Sequence, residues 1–510
     1  MTASYCLPPD YVERASPDYF DDVRPSARVN YFQPEVYVLG EYLAAADRRP
    51  CVVDVGCGNG EKLALLQAPQ KVGIDHGANL ARFSHQVPDA RVIEHDLERT
   101  LPPLGIDPAQ TVVICADVAE HLRDPRPMMN SLAALCDAGA IVIMSTPDRV
   151  RVRGPEDRGP PQNPAHVREW ALDEWVNFAS GCGLPPLFAG YTINSTVARA
   201  KKTIASIHHS SVQHALSSSI DRGPPLAIIS VYNEIDIIEQ TLQRCLKEGF
   251  DIHLIDNWST DGSYEILRKE ADANPNRITL ERFPFAGPSD RFLWPEILAR
   301  KAQLASRFPG RWIIHWDADE VRESAWLGMT LRRSLAVIEA AGYNAADFCV
   351  AHFRPTRDGF GRGDDIDRFT HFAYALRPGH YIQTKAWIQP REVVDLAESG
   401  GHRVQFNGIR TFPYRMLLRH YSLRSSRHAL RKLELRVSRW NPNARQSFEI
   451  NELGGSVDYV WKEEELHAFD DAAFRRDHLL ELVSDVVWRR RAPNWAPMFG
   501  PTEASRGVWA

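Results

Sequence analysis

Five short apolar runs, at 51–55, 71–74, 91–94, 111–115 and 140–145, recur through the first third of the chain, separated by helical or turn-forming segments. Runs of this length without polar alternation predict strands buried on both faces, and their alternation with helices predicts a parallel sheet covered on both sides. A proline-rich loop at 155–164 and a helix over 168–183, ended by glycine, come next. The stretch 207–224 is dense in Ser and His and reads as a linker. At 226 the pattern restarts, with a strand over 226–231, a helix over 234–249, a strand over 251–256 and a helix over 263–274. The expected fold class is α/β in two domains: 1–206, a linker at 207–224, and 225–510 with a C-terminal helical extension.

Composition agrees with this division. A chain of 510 residues exceeds one ordinary core. The formal net charge of −6 argues against nucleic-acid binding driven by overall charge. No apolar run approaches the ~18 residues that span a bilayer. The opening residues lack the basic start and apolar core of a signal peptide, so a cytoplasmic location is expected, with the inner face of the membrane as a second possibility. Eight cysteines occur without a CxxC pair, which argues against zinc and for reduced, packing thiols.

Two stretches carry candidate chemistry. In "VVDVGCGNGEKLAL" (52–65), Gly56, Gly58 and Gly60 follow a strand and precede a helix, where glycine permits left-handed backbone and close approach of a ligand to the main chain. Asp75 and Asp96 end the next two strand candidates, within reach of ribose hydroxyls and an adenine edge respectively. Together with Asp54 and "ADVAEHL" (116–122), which contains Asp117, this set resembles the class I S-adenosylmethionine-dependent methyltransferases, which are Rossmann-like. The resemblance covers about residues 1–200. It implies that Asp54 and the glycines contact the methionine part of S-adenosylmethionine, Asp75 the ribose and Asp96 the adenine, with Asp117 beside them. The segments 145–149 and 160–170 resemble the acceptor loop of members that methylate sugars and other small metabolites. His121 and His166 are candidate bases for deprotonating an acceptor hydroxyl. Methyl transfer uses no metal in this reading.

In "HWDADEV" (315–321), Asp317 and Asp319 alternate about Ala318, so an extended backbone sends both to one side. Two carboxylates so placed suit Mg²⁺ or Mn²⁺, which would offset the charge of a leaving nucleoside diphosphate. With "ISVYNEIDIIEQTL" (229–242) and "LIDNWSTDGSYEIL" (254–267), the motif resembles the family 2 glycosyltransferases of the GT-A fold, over about 225–440. The resemblance implies that the end of the first strand (Asn233, Glu234) and Asp256 hold the nucleobase and ribose of a nucleotide-sugar donor. Asp261 would border the sugar-nucleotide pocket, and Asp317 and Asp319 would carry the metal. "DNWSTDG" departs from the family's acidic pair, with Asn257 in place of the second acid. The candidate bases for the acceptor are Glu320 and, on the loop 354–369, Asp358, Asp364, Asp365 and Asp367. Arg424, His428, Arg431 and Lys432 make a basic cluster suited to a diphosphate, a lipid-linked glycan acceptor or peripheral membrane association, to which 486–495 would add. The combined expectation is a bifunctional glycan-modifying enzyme of surface polysaccharide or glycolipid synthesis. Two alternatives remain: one catalytic domain with the other docking the acceptor, or a non-catalytic scaffold.

Overall fold

The run at 51–55 forms β1 (Cys51–Val55), and all five of its residues are buried. The other four runs form β2 (Gln70–Asp75), β3 (Arg91–Glu94), β4 (Thr111–Ala116) and β5 (Ile141–Pro147). Two further strands, β6 (Phe188–Thr192) and β7 (Thr203–His208), complete a sheet ordered β3-β2-β1-β4-β5-β7-β6, in which β7 is antiparallel to both neighbours. The structure is a computed structural model that describes residues 5–18, 34–192, 201–218, 223–291, 293–374, 382–439, 459–477 and 479. It divides into two compact units, Met1–Ser218 with Ala473–Ala510, and Ser219–Ala472.

In the first unit, α1 (Pro34–Ala46), α2 (Glu61–Ala64), α3 (Arg126–Asp137) and α4 (Leu172–Gly181) accompany the sheet. Val53, Val55, Val113, Met129, Leu132 and Trp175 meet in one core. Each such side chain contributes about 1.5–3 kcal/mol by leaving water. The sheet is the Rossmann-like one expected.

The linker reading of 207–224 needs correction. Ile207 and His208 finish β7, which pairs with β5 and β6, and Ser210–Ser217 forms α5, with Val212 and Ala215 buried. The polar composition misled because serines and histidines here satisfy one another inside the unit: Ser206 Oγ lies 3.0 Å from His208 Nε2, and Ser210 Oγ donates to the Cys136 carbonyl at 2.6 Å. Residues from Ala473 on also group with the first unit rather than the second.

The second unit restarts with β8 (Leu226–Val231), β9 (Asp251–Asp256), β10 (Ile278–Arg282) and β11 (Trp312–Asp317), parallel and ordered β10-β9-β8-β11. Beyond β11 come β12 (Glu320–Glu323), β13 (Ala345–Phe353), β14 (His371–Tyr374), β15 (Ile382–Ile388) and β16 (Thr411–His420). Here β15 is antiparallel to both β11 and β13, and β16 pairs with β12 and β13. The helices α6 (Ile238–Lys247), α7 (Ser263–Ala273), α8 (Trp294–Ala305) and α9 (Ser426–Arg439) belong to this unit. A parallel half that runs into a mixed half, where β13 and β16 pair in parallel and the other pairs are antiparallel, is consistent with the GT-A arrangement. Among the described residues no helix is long and apolar enough to cross a membrane.

Candidate functional site

Each parallel sheet has a topological switch point, where successive crossovers leave in opposite directions and open a crevice at the carboxyl ends of the strands. In the first unit it lies between β1 and β4, in the second between β8 and β11. The predicted site residues follow these strands.

In the first unit Gly56, Gly58 and Gly60 take φ of 80°, 55° and 83°, left-handed values that suit glycine. A Cβ on Gly56 would stand 2.4 Å from Val118 Cγ2, so the turn also packs tightly from below. Asp75 Oδ2 accepts from the Gly58 N–H at 2.8 Å, which fixes the carboxylate against the turn. Asp54 is wholly buried and its oxygens accept from the Tyr37 hydroxyl at 3.0 and 3.1 Å, bracing the strand end beneath the glycines. Asp96 stands more open beyond β3, one oxygen accepting from the Glu98 N–H at 3.0 Å. Asp117 follows β4 with φ 56° and accepts from the Ser145 hydroxyl at 2.8 Å. A glycine-rich turn and an anchored acid at the next strand end fit a nucleoside ligand such as S-adenosylmethionine.

Beyond Asp117 the structure brings both candidate bases together. The rings of His121 and His166 are 4.8 Å apart, edge to face. His121 Nδ1 donates to the Ala165 carbonyl at 2.9 Å, and His166 Nδ1 lies 2.6 Å from Glu169 Oε1. A carbonyl and a carboxylate only accept here, so each Nδ1 carries a proton, and in the neutral ring the lone pair lies on Nε2. Burial, with His166 adding to it, pushes the His121 pKa down to about 3. Glu120 is fully buried beside them, and burial followed by the charge of Asp117 holds its carboxyl well above the usual range.

In the second unit the expected metal pair divides. Asp317 meets Lys385 Nζ at 2.8 Å, His315 Nε2 at 3.2 Å and Lys301 Nζ at 3.6 Å, and both lysines are buried. Burial works to raise its pKa, but Lys385, His315 and Lys301 outweigh it and hold the carboxyl well below the usual range. A carboxylate already matched by two buried ammonium groups does not fit the part of a cation ligand. Asp319 fits it better: His420 Nε2 lies 3.5 Å from its Oδ2, a carboxylate and an imidazole side by side, with Lys432 Nζ at 3.3 Å.

Several other candidates hold the unit together rather than face a ligand. Glu320 is 2% exposed and paired with Arg322 and, at 2.9 Å, Lys385, so its reading as a base is corrected: nothing outside the protein reaches it. Asp358 Oδ1 accepts from the Ser426 N–H at 2.8 Å and caps the start of α9. Asp364 accepts from the Gly361 N–H, Asp365 from the Asp367 N–H, and Asp367 pairs with Arg244 at 2.7 Å. Arg424 is wholly buried between Glu234 and Asp236, so it ties the loop after β8 to the segment before α9 instead of clamping a diphosphate. Asp261 joins the loops after β8 and β9, accepting from the Ile235 N–H at 3.2 Å and the Ser263 hydroxyl at 2.6 Å. Asn233, at φ 59°, accepts from the Thr260 N–H at 2.8 Å. Asp256 is buried at the end of β9 and paired with Arg282 at 3.1 Å. The basic helix turns Lys432 to Asp319 and Arg431 to Asp261 at 3.7 Å. The basic stretch 486–495 lies outside the described residues.

Lys301 and Lys385 escaped the sequence reading. The signal was a lone lysine inside each of two apolar segments, "ILARKAQLA" and "IQTKAWI", where a charge survives only with a buried partner.

Family models match at 33–194, described as a methyltransferase domain, and at 226–377, described as glycosyl transferase family 2. No curated protein sequence matches the chain. Solved structures similar to it include an S-adenosylmethionine-dependent methyltransferase from Mesorhizobium loti, at 16% identity over 31% of this chain and 89% of that one, TM-score 0.26. Another is a methyltransferase from Aquifex aeolicus, at 19% identity over 36% and 93%, TM-score 0.27. A third is a TehB-like methyltransferase from Corynebacterium glutamicum, at 15% identity over 36% and 91%, TM-score 0.25. With a glycine turn at one switch point and a carboxylate–lysine cluster at the other, the chain joins a methyltransferase domain to a family 2 glycosyltransferase domain in that order.

Proposed function

We propose that the chain transfers a methyl group from S-adenosylmethionine in its first unit and a sugar from a nucleotide-sugar donor in its second, both in the building of a glycan or lipid-linked glycan. The observation that carries this is the pair of switch-point crevices, each bordered by residues suited to its own nucleotide ligand.

In the first unit the turn at Gly56–Gly60 and Asp75 would hold the nucleoside and methionine parts, and Asp96 the adenine edge. The sulfonium supplies an electrophilic methyl group. Asp54 keeps the turn in shape through Tyr37. In the second unit the crevice at the end of β8 would receive the nucleoside. Lys301 and Lys385 bring positive charge to the end of β11, where a donor diphosphate needs it. Asp319 with His420 would hold a Mn²⁺ or Mg²⁺ ion, which supplies further charge against the leaving diphosphate.

The test is a screen of labelled nucleotide sugars for transfer or hydrolysis, with and without Mn²⁺, beside calorimetry of S-adenosylmethionine. Binding of the cofactor together with turnover of at least one donor is expected. Failure of S-adenosylmethionine to bind would remove the first half of the proposal, and inertness to every donor the second.

A further inference from the structure

Among the described residues, one group of three or more His, Cys, Asp or Glu side chains has its ligand atoms close enough to share an ion, and it lies in the first unit. Glu120, His121 and His166 place one ligand atom each within 4.8 Å of one another. We propose that these three residues form a divalent-cation site that takes a first-row transition metal ion.

Three observations carry it. The first is the chemistry of the set: two imidazoles and one carboxylate make a mixed nitrogen–oxygen donor group of the kind that binds such ions and leaves positions open for oxygen ligands. A shared ion would draw the three atoms to about 3 Å apart from their present spacing. The second is the state of the histidines. Both Nδ1 atoms are committed to backbone or carboxylate acceptors, the arrangement that orients a metal-binding imidazole and leaves its lone pair on Nε2. Behind His166, Glu169 is itself held by Arg153 at 2.9 Å, so the orienting carboxylate is anchored. The Asn163 amide now lies 2.8 Å from His166 Nε2, a hydrogen bond that an ion would replace.

The third observation is Glu120 itself. It is fully buried, its Oε2 accepts from the Thr146 hydroxyl at 3.1 Å, and its Oε1 has no hydrogen-bond partner. A buried carboxylate oxygen without donor or counter-ion is costly, and a bound cation removes that cost. The contrast with Glu320 in the second unit is direct, because there Arg322 and Lys385 meet the buried carboxylate.

The role of the ion, though not its presence, rests on the methyl-transfer reading. Glu120 and His121 follow β4 at the crevice, so the positions left open on the ion suit hydroxyl oxygens of the methyl acceptor. An acceptor with two neighbouring hydroxyls, as on a sugar ring, is the class such a site selects.

The experiment uses the full chain, stripped with chelator and dialysed against Co²⁺. Bound cobalt is read by elemental analysis and d–d absorption, and metal-free and cobalt-loaded melts are recorded in parallel. Wild type is expected to hold one cobalt per chain more than His121→Asn, His166→Asn or Glu120→Gln, and to melt higher with cobalt than without. Glu120→Gln keeps the shape but replaces a metal-binding carboxyl by an amide, so its metal-free melt should stay close to that of wild type, and it decides the matter should the histidine variants fail to fold. Equal cobalt content in wild type and Glu120→Gln overturns the site. S-adenosylmethionine binding is measured on the same proteins: its absence in wild type would end the methyl-transfer role while leaving the metal result standing.

Discussion

Lys385 Nζ stands 2.8 Å from Asp317 Oδ2, and its 2.9 Å contact with Glu320 Oε1 makes one ammonium the partner of two acids at the end of β11. Removing it leaves two carboxylates in a buried setting with only Lys301, His315 and Arg322 to oppose them. Breaking a buried pair from one side costs about 3–5 kcal/mol. Lys385→Met should therefore lower stability by about that much in a denaturant titration. Adding Asp317→Asn to it should recover part of the loss, since the second change removes the orphaned charge. A single-variant cost under about 1 kcal/mol would contradict the ion-pair account.

Asp317 and Asp319 should separate in their response to metal. In Asp319→Asn, sugar transfer is expected to fall at least about a hundredfold, roughly 3 kcal/mol of transition-state stabilisation, and to stop responding to Mn²⁺. Asp317→Asn should also weaken transfer but keep a Mn²⁺ response, because two buried lysines already meet its carboxylate. The measurement is donor turnover across a Mn²⁺ titration. Loss of the response in Asp317→Asn alone would reverse the assignment.

Burial holds the Lys301 ammonium down to about 8, with Asp317 working against the shift. Between about 8 and 10.5 the unfolded chain binds this proton and the folded chain does not, so this group's contribution to stability rises with pH through that window. Its charge at the donor site moves the other way and disappears above about 8. Glycosyl transfer should decline as pH passes that value, and Lys301→Arg, which stays charged, should move the decline upward. An unaltered profile in Lys301→Arg would show that another group sets it.

Gly58 takes φ 55° at the turn and donates its N–H to Asp75. A β-branched side chain is strained in that conformation and would cover the main chain the cofactor must approach. Gly58→Val is expected to abolish S-adenosylmethionine binding in calorimetry while nucleotide-sugar binding persists. Undiminished cofactor affinity would count against the glycine turn as its site.

A fragment ending at 206 cuts the last two residues of β7 and all of α5, which buries Val212 and Ala215. A fragment ending at 218 keeps them. The longer piece should melt several degrees higher; equal melting temperatures would show that α5 adds nothing to the first unit.

The sequence by itself determined where β1 to β5, β8 and β9 run, because strands inside a parallel sheet are short apolar runs set between helices. It also located the glycine turn and the acids at strand ends, since backbone freedom and charge at such places are local properties. Pairing across distance was decided only by the tertiary structure. Ile207 and His208 look like linker composition until β7 pairs with β5 and β6. Asp317 looks like a metal ligand until Lys385, 68 residues onward, comes to lie beside it. Arg424 looks like a diphosphate clamp until Glu234, 190 residues earlier, takes its guanidinium. His121 and His166 look like two separate candidate bases until folding brings their rings to 4.8 Å apart, with a buried glutamate beside them. A charged side chain's role follows from which opposite charge shares its low-dielectric surroundings, and spacing along the chain does not carry that information.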